Sequence, residues 1–177
     1  MAVAAAGFFD GVHLGHRAVI ETLLREARMR GEESLILTFW PHPRMVLGTA
    51  GEDFRLLETL EEKVSRLAGM GVDRVEVEEF TKEFASMTAK EYIRDIKSRF
   101  GVTCLVLGYD NRMGSDRLGP QEIASLCASE GIASVIVPPV RVSSDGQALA
   151  VSSTKIRKAL LAGDTGTAEL MLGRKKT

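Results

Sequence analysis

The sequence has only two cysteines, no long apolar run and almost no net charge. No apolar segment approaches the roughly 20 residues that a membrane-spanning helix needs, so we expect no membrane partner. The 23 Lys and Arg residues nearly balance the 24 Asp and Glu residues, for a net charge of −1. A nucleic-acid backbone is held by clustered basic residues, so we expect no nucleic-acid partner. Any anion that the protein binds must therefore be met by a local group of residues.

The two cysteines lie far apart in the sequence. Cys104 stands in an apolar run and Cys127 in a helical pattern, and we interpret both as buried free thiols in a reducing compartment. Residues 1–6 are apolar but lack the basic region and the length of a targeting segment, which favours a strand. We therefore expect a soluble, cytoplasmic protein.

The chain of 177 residues is 45% hydrophobic, enough for one compact domain with a full core. This composition excludes a disordered or collagen-like chain. We find no internal repeat and no low-complexity linker, so we expect a single domain over residues 1–177.

Short, continuous apolar runs alternate with segments of helical spacing. The runs predict strands, which alternate with predicted helices in a regular order. The predicted strands are 2–6, 34–39, 74–78, 103–107 and 134–137, and the predicted helices are 14–30, 59–70, 89–100 and 120–129. Buried strands separated by helices are typical of a parallel sheet covered on both faces, so we predict an α/β protein with a Rossmann-like, doubly wound parallel sheet. A hairpin of 140–143 and 148–152 and two helices, 153–162 and 165–172, are predicted to follow.

The segment 7–16, GFFDGVHLGH, lies where the first strand gives way to the first helix. Ligands of open α/β sheets bind beyond the carboxyl ends of the strands, and a helix N-terminus favours phosphate. Gly7 and Gly15 allow the backbone to approach a ligand closely. His13 and His16 are spaced to point toward the same side, where imidazoles can donate hydrogen bonds to phosphoryl oxygens. The segment therefore predicts a phosphate site.

Other functions for the histidines remain open at this point. His13, His16 and His42 could together hold a metal ion, or the histidines could be structural. Against both alternatives, all three histidines fall in turns that follow predicted strands. The sequence contains neither the G-x-G-x-x-G nicotinamide pattern nor the G-x-x-x-x-G-K-[ST] phosphate loop. A dehydrogenase and a Walker-type ATPase are therefore disfavoured.

A second segment, 151–157 or VSSTKIR, stands at the start of a predicted helix. Ser and Thr are common helix N-caps, which alone would explain the hydroxyl residues. Ser153 and Thr154 with Arg157 one turn along would also form a phosphate clamp of hydroxyl, backbone and guanidinium donors. The presence of the histidine segment favours the clamp.

Five motifs occur in one order along the chain: FDGVHLGH, PHP after the second strand, G-x-D-x-x-x-G-x-x-R-x-G from Gly108 to Gly119, SSTKIR, and a closing LGR. Together they resemble the FMN adenylyltransferase (FAD synthetase) domain of bacterial bifunctional riboflavin kinase/FAD synthetases. The first and fourth are similar to the HxGH and SSTxxR signatures of the nucleotidylyltransferase superfamily.

The resemblance implies transfer of AMP from ATP to FMN, giving FAD and pyrophosphate, with Mg²⁺ held mainly through the substrate phosphates and no dedicated metal ligands. It implies catalytic roles at the phosphates for His13, His16 and Arg157. The residues that it implies on the nucleotide side are Gly7, Phe9, Asp10, Gly15, Ser153 and Thr154. Those that it implies on the flavin side are His42, Pro43, Asp110 and Asn111.

Two departures from the family pattern bear on the acceptor. The flavin-side loop usually reads G-x-D-F-x-F-G, so Asn111 and Met113 place an amide and a thioether where rings would wall in an isoalloxazine. The chain also ends three residues after LGR, so we expect no riboflavin kinase domain and FMN from a separate riboflavin kinase. The alternatives are nucleotidyl transfer to another small phosphate acceptor, such as phosphopantetheine or nicotinate mononucleotide, and a non-catalytic nucleotide- or flavin-binding module.

Overall fold

A computed structural model describes residues 1–176. Seven strands and eight helices occur within these residues. In chain order they are β1 (Ala2–Ala6), α1 (Leu14–Arg30), β2 (Glu33–Trp40), α2 (Pro43–Val46), α3 (Leu60–Gly69), β3 (Arg74–Glu79), α4 (Lys82–Ala85), α5 (Ala89–Phe100), β4 (Val102–Gly108), α6 (Pro120–Ser129), β5 (Ala133–Val137), β6 (Arg141–Ser144), β7 (Gln147–Ala150), α7 (Ser153–Leu161) and α8 (Thr165–Leu172).

The main sheet has five strands in the order β3-β2-β1-β4-β5. All neighbouring strands in it are parallel. The predicted α/β, Rossmann-like, doubly wound sheet is therefore confirmed. From β1 the chain winds outward to β3 on one side and then returns to build β4 and β5 on the other. The carboxyl ends of β1 and β4 consequently border the crevice where such sheets bind ligands.

Both faces of the sheet are buried, as the continuous apolar strands predict. Alternate residues of β1 enter different cores: Ala4 packs in the core with α5 and α6, and Ala5 in the core with α1. The small alanines leave room for large helical side chains such as Ile20 and Ile93, which are fully buried. Each such side chain stabilises the fold by about 1.5–3 kcal/mol.

Local signals explain the helix ends. Gly31, whose φ of 65° is left-handed, caps the C-terminus of α1. Thr59 and Thr88 form capping boxes at the starts of α3 and α5. The predicted helices 14–30, 89–100, 120–129 and 165–172 have the observed bounds, and the other predicted elements end within about two residues of the observed ones. The four-residue helices α2 and α4 were not predicted, because one turn is too short to show a period.

The second sheet is the predicted hairpin, in which β6 and β7 pair antiparallel. A third apolar cluster, which includes Val151, Ile156 and Met171, joins this hairpin to α7 and α8. Cys104 and Cys127 are buried free thiols, as predicted. None of the helices within residues 1–176 combines the length and the apolar character that a membrane crossing requires.

Candidate active site

A cleft of about 320 Å³ opens at the carboxyl ends of β1, β4 and β5. Gly7, Gly108 and Val137 mark these strand ends in its wall, and residues at the N-termini of α1 and α7 complete it. Each helix N-terminus carries free N–H groups and a partial positive charge. Two such N-termini border this one cleft, at the point where the strand order of the sheet reverses. The arrangement is suited to an extended polyanion.

The turn between β1 and α1 has a tightly constrained backbone. Phe9 adopts a φ of 56° and Val12 a φ of 40°, left-handed values that cost roughly 1 kcal/mol or more in residues other than glycine. Gly11 has a φ of 83°, and a Cβ there would stand 2.7 Å from a methyl carbon of Leu57. The turn keeps this shape because Phe9 and Val12 are buried in the core beneath it.

His13 is the N-cap of α1, and its Nδ1 accepts the backbone N–H of His16 at 3.2 Å. A neutral imidazole that accepts at Nδ1 carries its proton on Nε2. Burial lowers the pKa of His13 to about 4, and nearby Arg157 and Arg174 act in the same direction. His13 is therefore a neutral hydrogen-bond donor at neutral pH.

His16 stacks on His13, with ring centroids 3.6 Å apart and planes 14° from parallel. The edge of Phe9 packs against it at 5.3 Å. Burial holds the pKa of His16 well below its usual value, with further lowering by His13. Its Nδ1 is buried without a hydrogen-bond partner among the described residues. Both imidazoles line the cleft, so the structure brings together the two histidines of the first motif.

The hydroxyl groups at the start of α7 have different roles. The Ser152 side chain is the N-cap and accepts the Lys155 N–H at 3.2 Å, so capping is the whole of its observed bonding. The Ser153 hydroxyl donates to the Asp10 carbonyl at 2.9 Å, which ties α7 to the turn after β1. Thr154 is exposed at the rim, and Ser153 and Thr154 both line the cleft.

Asp10 and Arg157 bind each other beside the cleft, and neither lines it. The Asp10 carboxylate accepts the Arg157 guanidinium and, through both oxygens at 3.1 Å, the Leu57 N–H. The Arg157 Nε donates to the Arg55 carbonyl at 2.8 Å, and the guanidinium lies 4.6 Å from the ring centre of Phe54. Arg157 instead borders a second hollow of about 150 Å³. In the structure both residues hold the 52–57 loop, and the nucleotide-side roles expected of them stay predictions.

His42 and Pro43 do not line the cleft either. The Nδ1 of His42 caps α2 by accepting the Arg44 N–H at 3.1 Å. Its ring meets Phe8 at 4.2 Å and Phe54 at 4.8 Å. Burial lowers the pKa of His42 to about 4, with Arg157 adding to the effect. Phe8 lines the cleft, so one aromatic ring separates His42 from it.

The loop after β4 corrects one sequence interpretation. Met113 was expected at the flavin wall, but it is buried in the core among residues such as Ile123 and pairs with Leu118. Its thioether therefore replaces a core side chain and leaves the cleft wall unchanged. Asp110 is exposed at the cleft rim.

Asn111 lines the cleft, but its amide is bonded to the backbone. Its Oδ1 accepts the Gly108 N–H at 2.6 Å, and its Nδ2 donates to the Ala6 carbonyl at 3.3 Å. These bonds join the carboxyl ends of β4 and β1, so Asn111 fixes the width of the crevice.

Sequence reasoning missed Tyr109, an aromatic side chain that is 39% exposed and lines the cleft. Burial and the neighbouring Asp110 raise the pKa of its phenol. The sequence feature that could have identified Tyr109 is its position directly after a buried strand and next to Asp110.

Glu58 was also missed, because it stands in an irregular, acidic stretch. Its buried carboxylate accepts the Gly11 N–H at 3.0 Å and pairs with Arg66 at 2.9 Å. Arg174, from the closing LGR motif, lies 3.5 Å from the same carboxylate and donates to the Val12 carbonyl at 3.4 Å. The last motif thus supports the turn that carries His13.

Among residues 1–176, no group of three or more His, Cys, Asp or Glu side chains is arranged to hold a metal ion. Asp110 is the sole carboxylate among the described residues that line the cleft. A divalent cation there would depend mainly on ligands that a substrate brings, which is how Mg²⁺ commonly binds with phosphates.

Comparison with known proteins identifies the family. A family model described as FAD synthetase matches residues 1–155. The chain belongs to the FAD synthetase family. A member from Listeria monocytogenes, the bifunctional riboflavin kinase/FMN adenylyltransferase, is 34% identical over 171 residues. The match covers 97% of this chain but only 53% of that protein.

Solved structures agree with the fold. One described as a macrolide-efflux protein from Streptococcus pneumoniae superposes with a TM-score of 0.83 at 28% identity, covering 98% of this chain and 55% of the other. A pantoate-beta-alanine ligase from Francisella tularensis has a TM-score of 0.53 at 13% identity, covering 95% and 77%. The second likeness, which concerns the fold alone, extends the architecture beyond the FAD synthetase family.

Proposed function

We propose that this chain transfers AMP from ATP to the phosphate of FMN, giving FAD and pyrophosphate. The observation that carries the proposal is the stacked, neutral pair His13 and His16 at the N-terminus of α1, in a cleft that the N-terminus of α7 also borders. Membership of the FAD synthetase family and the name of the Listeria relative support FMN as the acceptor.

The reaction needs alignment and charge stabilisation more than a base. An oxygen of the FMN phosphate, already ionised at neutral pH, forms a bond to the α-phosphorus of ATP. The bond from that phosphorus to the bridging oxygen of the β-phosphate breaks, and pyrophosphate leaves with the electron pair. Holding the two substrates in line lowers the barrier, and fixed donors stabilise the charge that develops on the phosphoryl oxygens.

His13 and His16 supply such donors on the nucleotide side. The bond from His13 Nδ1 to the helix backbone holds its Nε2–H in place as a donor. The backbone N–H groups and dipole of α1 act on the same phosphates. Gly7, Phe9 and Gly15 shape this wall, and Gly15 is needed because a Cβ there would stand 2.9 Å from the His13 ring.

The residues of α7 meet the β- and γ-phosphates in this proposal. Ser153 and Thr154 line the cleft beside the N-terminal N–H groups of the helix. Arg157 lies about one turn further on and is held by Asp10. Phosphate oxygens would compete with Asp10 for the guanidinium, and Arg157 would then bind the departing pyrophosphate. Asp10 acts on the nucleotide indirectly, by fixing the position of Arg157.

The acceptor side is formed by the β4 loop and the wall around Phe8. Tyr109 and Asp110 stand at the cleft rim, and His42, which Pro43 follows in the chain, packs against Phe8. Mg²⁺ would be held mainly through the phosphates, near Asp110, and would neutralise part of their charge. We place the reaction in the cytoplasm.

Incubation of the purified chain with ATP, Mg²⁺ and FMN tests the proposal, with FAD and pyrophosphate followed together by chromatography. We expect the two products in equal amounts. Pyrophosphate formed only with another phosphate acceptor would reject FMN and keep nucleotidyl transfer. ATP binding without either product, for a folded chain offered each acceptor, would indicate a binding module.

A further inference from the structure

Lys63 is a buried lysine that has no role in the proposed reaction as described so far. It lies on α3 with only 1% of its surface exposed. None of the ion pairs among the described residues includes it. Burying an ammonium group is costly unless other groups replace the water around it. The contacts of its Nζ therefore indicate what the residue does.

The ammonium group joins the ends of two neighbouring strands. It donates to the Phe8 carbonyl at 2.9 Å and to the Phe39 carbonyl at 3.1 Å. It also stands 3.6 Å from the centre of the Phe8 ring, a cation–π contact. Two carbonyls and the Phe8 ring thus take the place of water, with the Trp40 ring centre 6.0 Å away.

These contacts continue the connection between β1 and β2 beyond the end of their ladder. The last ladder pair is Ala6 opposite Leu37, followed by one bond from the Gly7 N–H to the Leu37 carbonyl at 3.0 Å. Past that bond the chain after β1 enters the turn that carries His13, whereas β2 runs on to Trp40 and the loop that carries His42. Lys63 bridges these two segments.

The charged groups around Lys63 come from several elements. Asp10 and Glu58 attract its charge, whereas His16 and His42 lie close enough to be affected by it. Burial is the larger influence and lowers the pKa of Lys63 to about 8. The group is therefore mainly charged at neutral pH. The Thr38 hydroxyl donates a hydrogen bond to the same Phe8 carbonyl at 3.0 Å. Loss of this uncharged bond can therefore be compared with loss of the charged bond from Lys63.

We propose that Lys63 is a positioning residue for AMP transfer, which fixes the turn on the nucleotide side relative to the loop on the acceptor side. This inference rests on the proposed function for its two substrates. Lys63 acts through Phe8 and Phe39, so it governs the alignment of the two substrates more than the affinity for either one.

The test compares Lys63→Met, Lys63→Arg and Thr38→Val with Lys90→Met, which changes an exposed lysine on α5. We expect Lys63→Met to lower kcat about 10- to 100-fold, the scale of a misplacement near 1 Å. Its dissociation constants for ATP alone and FMN alone should change by less than about threefold. Lys63→Arg keeps the charge and two donors and should recover most of kcat, and Lys90→Met should match the wild type.

A second readout does not depend on turnover. In hydrogen exchange, the amides of residues 8–12 and 42–46 should exchange faster together in Lys63→Met than in Thr38→Val, and Lys90→Met should match the wild type. A folded Lys63→Met with wild-type kcat, or with its whole defect in substrate binding, would overturn the positioning role. If the wild type makes no FAD, the proposed function fails, and exchange alone decides the bridge: equal exchange in Lys63→Met and the wild type would refute it.

Discussion

His13 combines two properties that usually conflict in a phosphate site. Its imidazole is too deeply buried to be charged at neutral pH, yet it keeps one N–H free to donate because its other nitrogen caps α1. A neutral donor binds ATP less strongly than a cation would. It can, however, stabilise the charge that develops on the α-phosphoryl oxygens during transfer without holding the product as an ion pair.

The histidines make stability depend on pH. His13 has a folded pKa of about 4, and an unfolded histidine has a pKa near 6.5, so between these values the unfolded state binds more protons. The free energy of unfolding should therefore fall as the pH drops from 7 to 5, by at most about 1.4 kcal/mol per pH unit for His13. Urea unfolding at both pH values measures this slope.

The matched variant is His13→Asn, because asparagine also caps helices well. This variant removes the contribution of His13 to the pH dependence of the free energy of unfolding, and it keeps the helix cap. His16 and His42 still contribute to this pH dependence, since burial lowers both of their pKa values. Equal slopes in the wild type and in His13→Asn would contradict the neutral, buried state of His13.

At this scale the sequence predicted how the two histidines lie relative to each other better than it predicted the contacts of other side chains. The spacing of His13 and His16 predicted a shared side, which the stacked rings confirm. Met113 was misassigned, because a motif position does not show whether a side chain faces the core or the cleft. Asp10 and Arg157 lie far apart in sequence, so nothing in the local pattern could show that they pair with each other.

The first turn of α1 is the element on which the site depends most. Gly15 lies beneath the His13 ring, and a Cβ there would stand 2.9 Å from Cε1 and 3.1 Å from Nδ1. The His13 ring is stacked on His16, which limits its retreat. The absence of a side chain at Gly15 thus allows the histidine pair to form.

Gly15→Ala should lower kcat for FAD formation at least tenfold, because the methyl group displaces a preorganised donor. The control is Gly69→Ala at the end of α3, where an added Cβ meets no atom within 4 Å. That change should leave kcat unchanged and raise the free energy of unfolding by up to about 1 kcal/mol. Similar kinetics in the two variants would argue against the need for space at Gly15.

The 52–57 loop depends on the buried pair Asp10 and Arg157. Asp10→Asn leaves the guanidinium without its counter-charge, so we expect unfolding in urea to become easier by about 3 kcal/mol. Asp145→Asn, at an exposed position in the β6–β7 turn, should stay within about 0.5 kcal/mol of the wild type. If Asp10→Asn unfolds like Asp145→Asn, the pair does not stabilise the loop.

Elements with a clear period were predicted closely, and those without one were not. The helix α1 has an apolar face over 17 residues and a left-handed Gly31 at its end, so both its bounds could be predicted. The helices α2 and α4 have four residues each and depend on the caps His42 and Thr81. Such single turns are determined by contacts with the rest of the fold.

Across the whole molecule, the order of the strands creates the site. The reversal between β1 and β4 opens a crevice, and the N-termini of α1 and α7 border it. A net charge of −1 gives no general attraction for anions, so this local arrangement must supply it. The distant residues Glu58 and Arg174 support the turn from behind, which gives the closing LGR motif a physical role.

The most direct test of the account follows FAD and pyrophosphate from ATP, Mg²⁺ and FMN with the wild type and His13→Asn side by side. We expect equal amounts of both products from the wild type. The variant should form them about 10²–10³ times more slowly, although it remains folded and binds ATP, because the shorter asparagine side chain places no donor at the position of the His13 Nε2–H. Equal rates in the two proteins would contradict the central role assigned to the histidine pair.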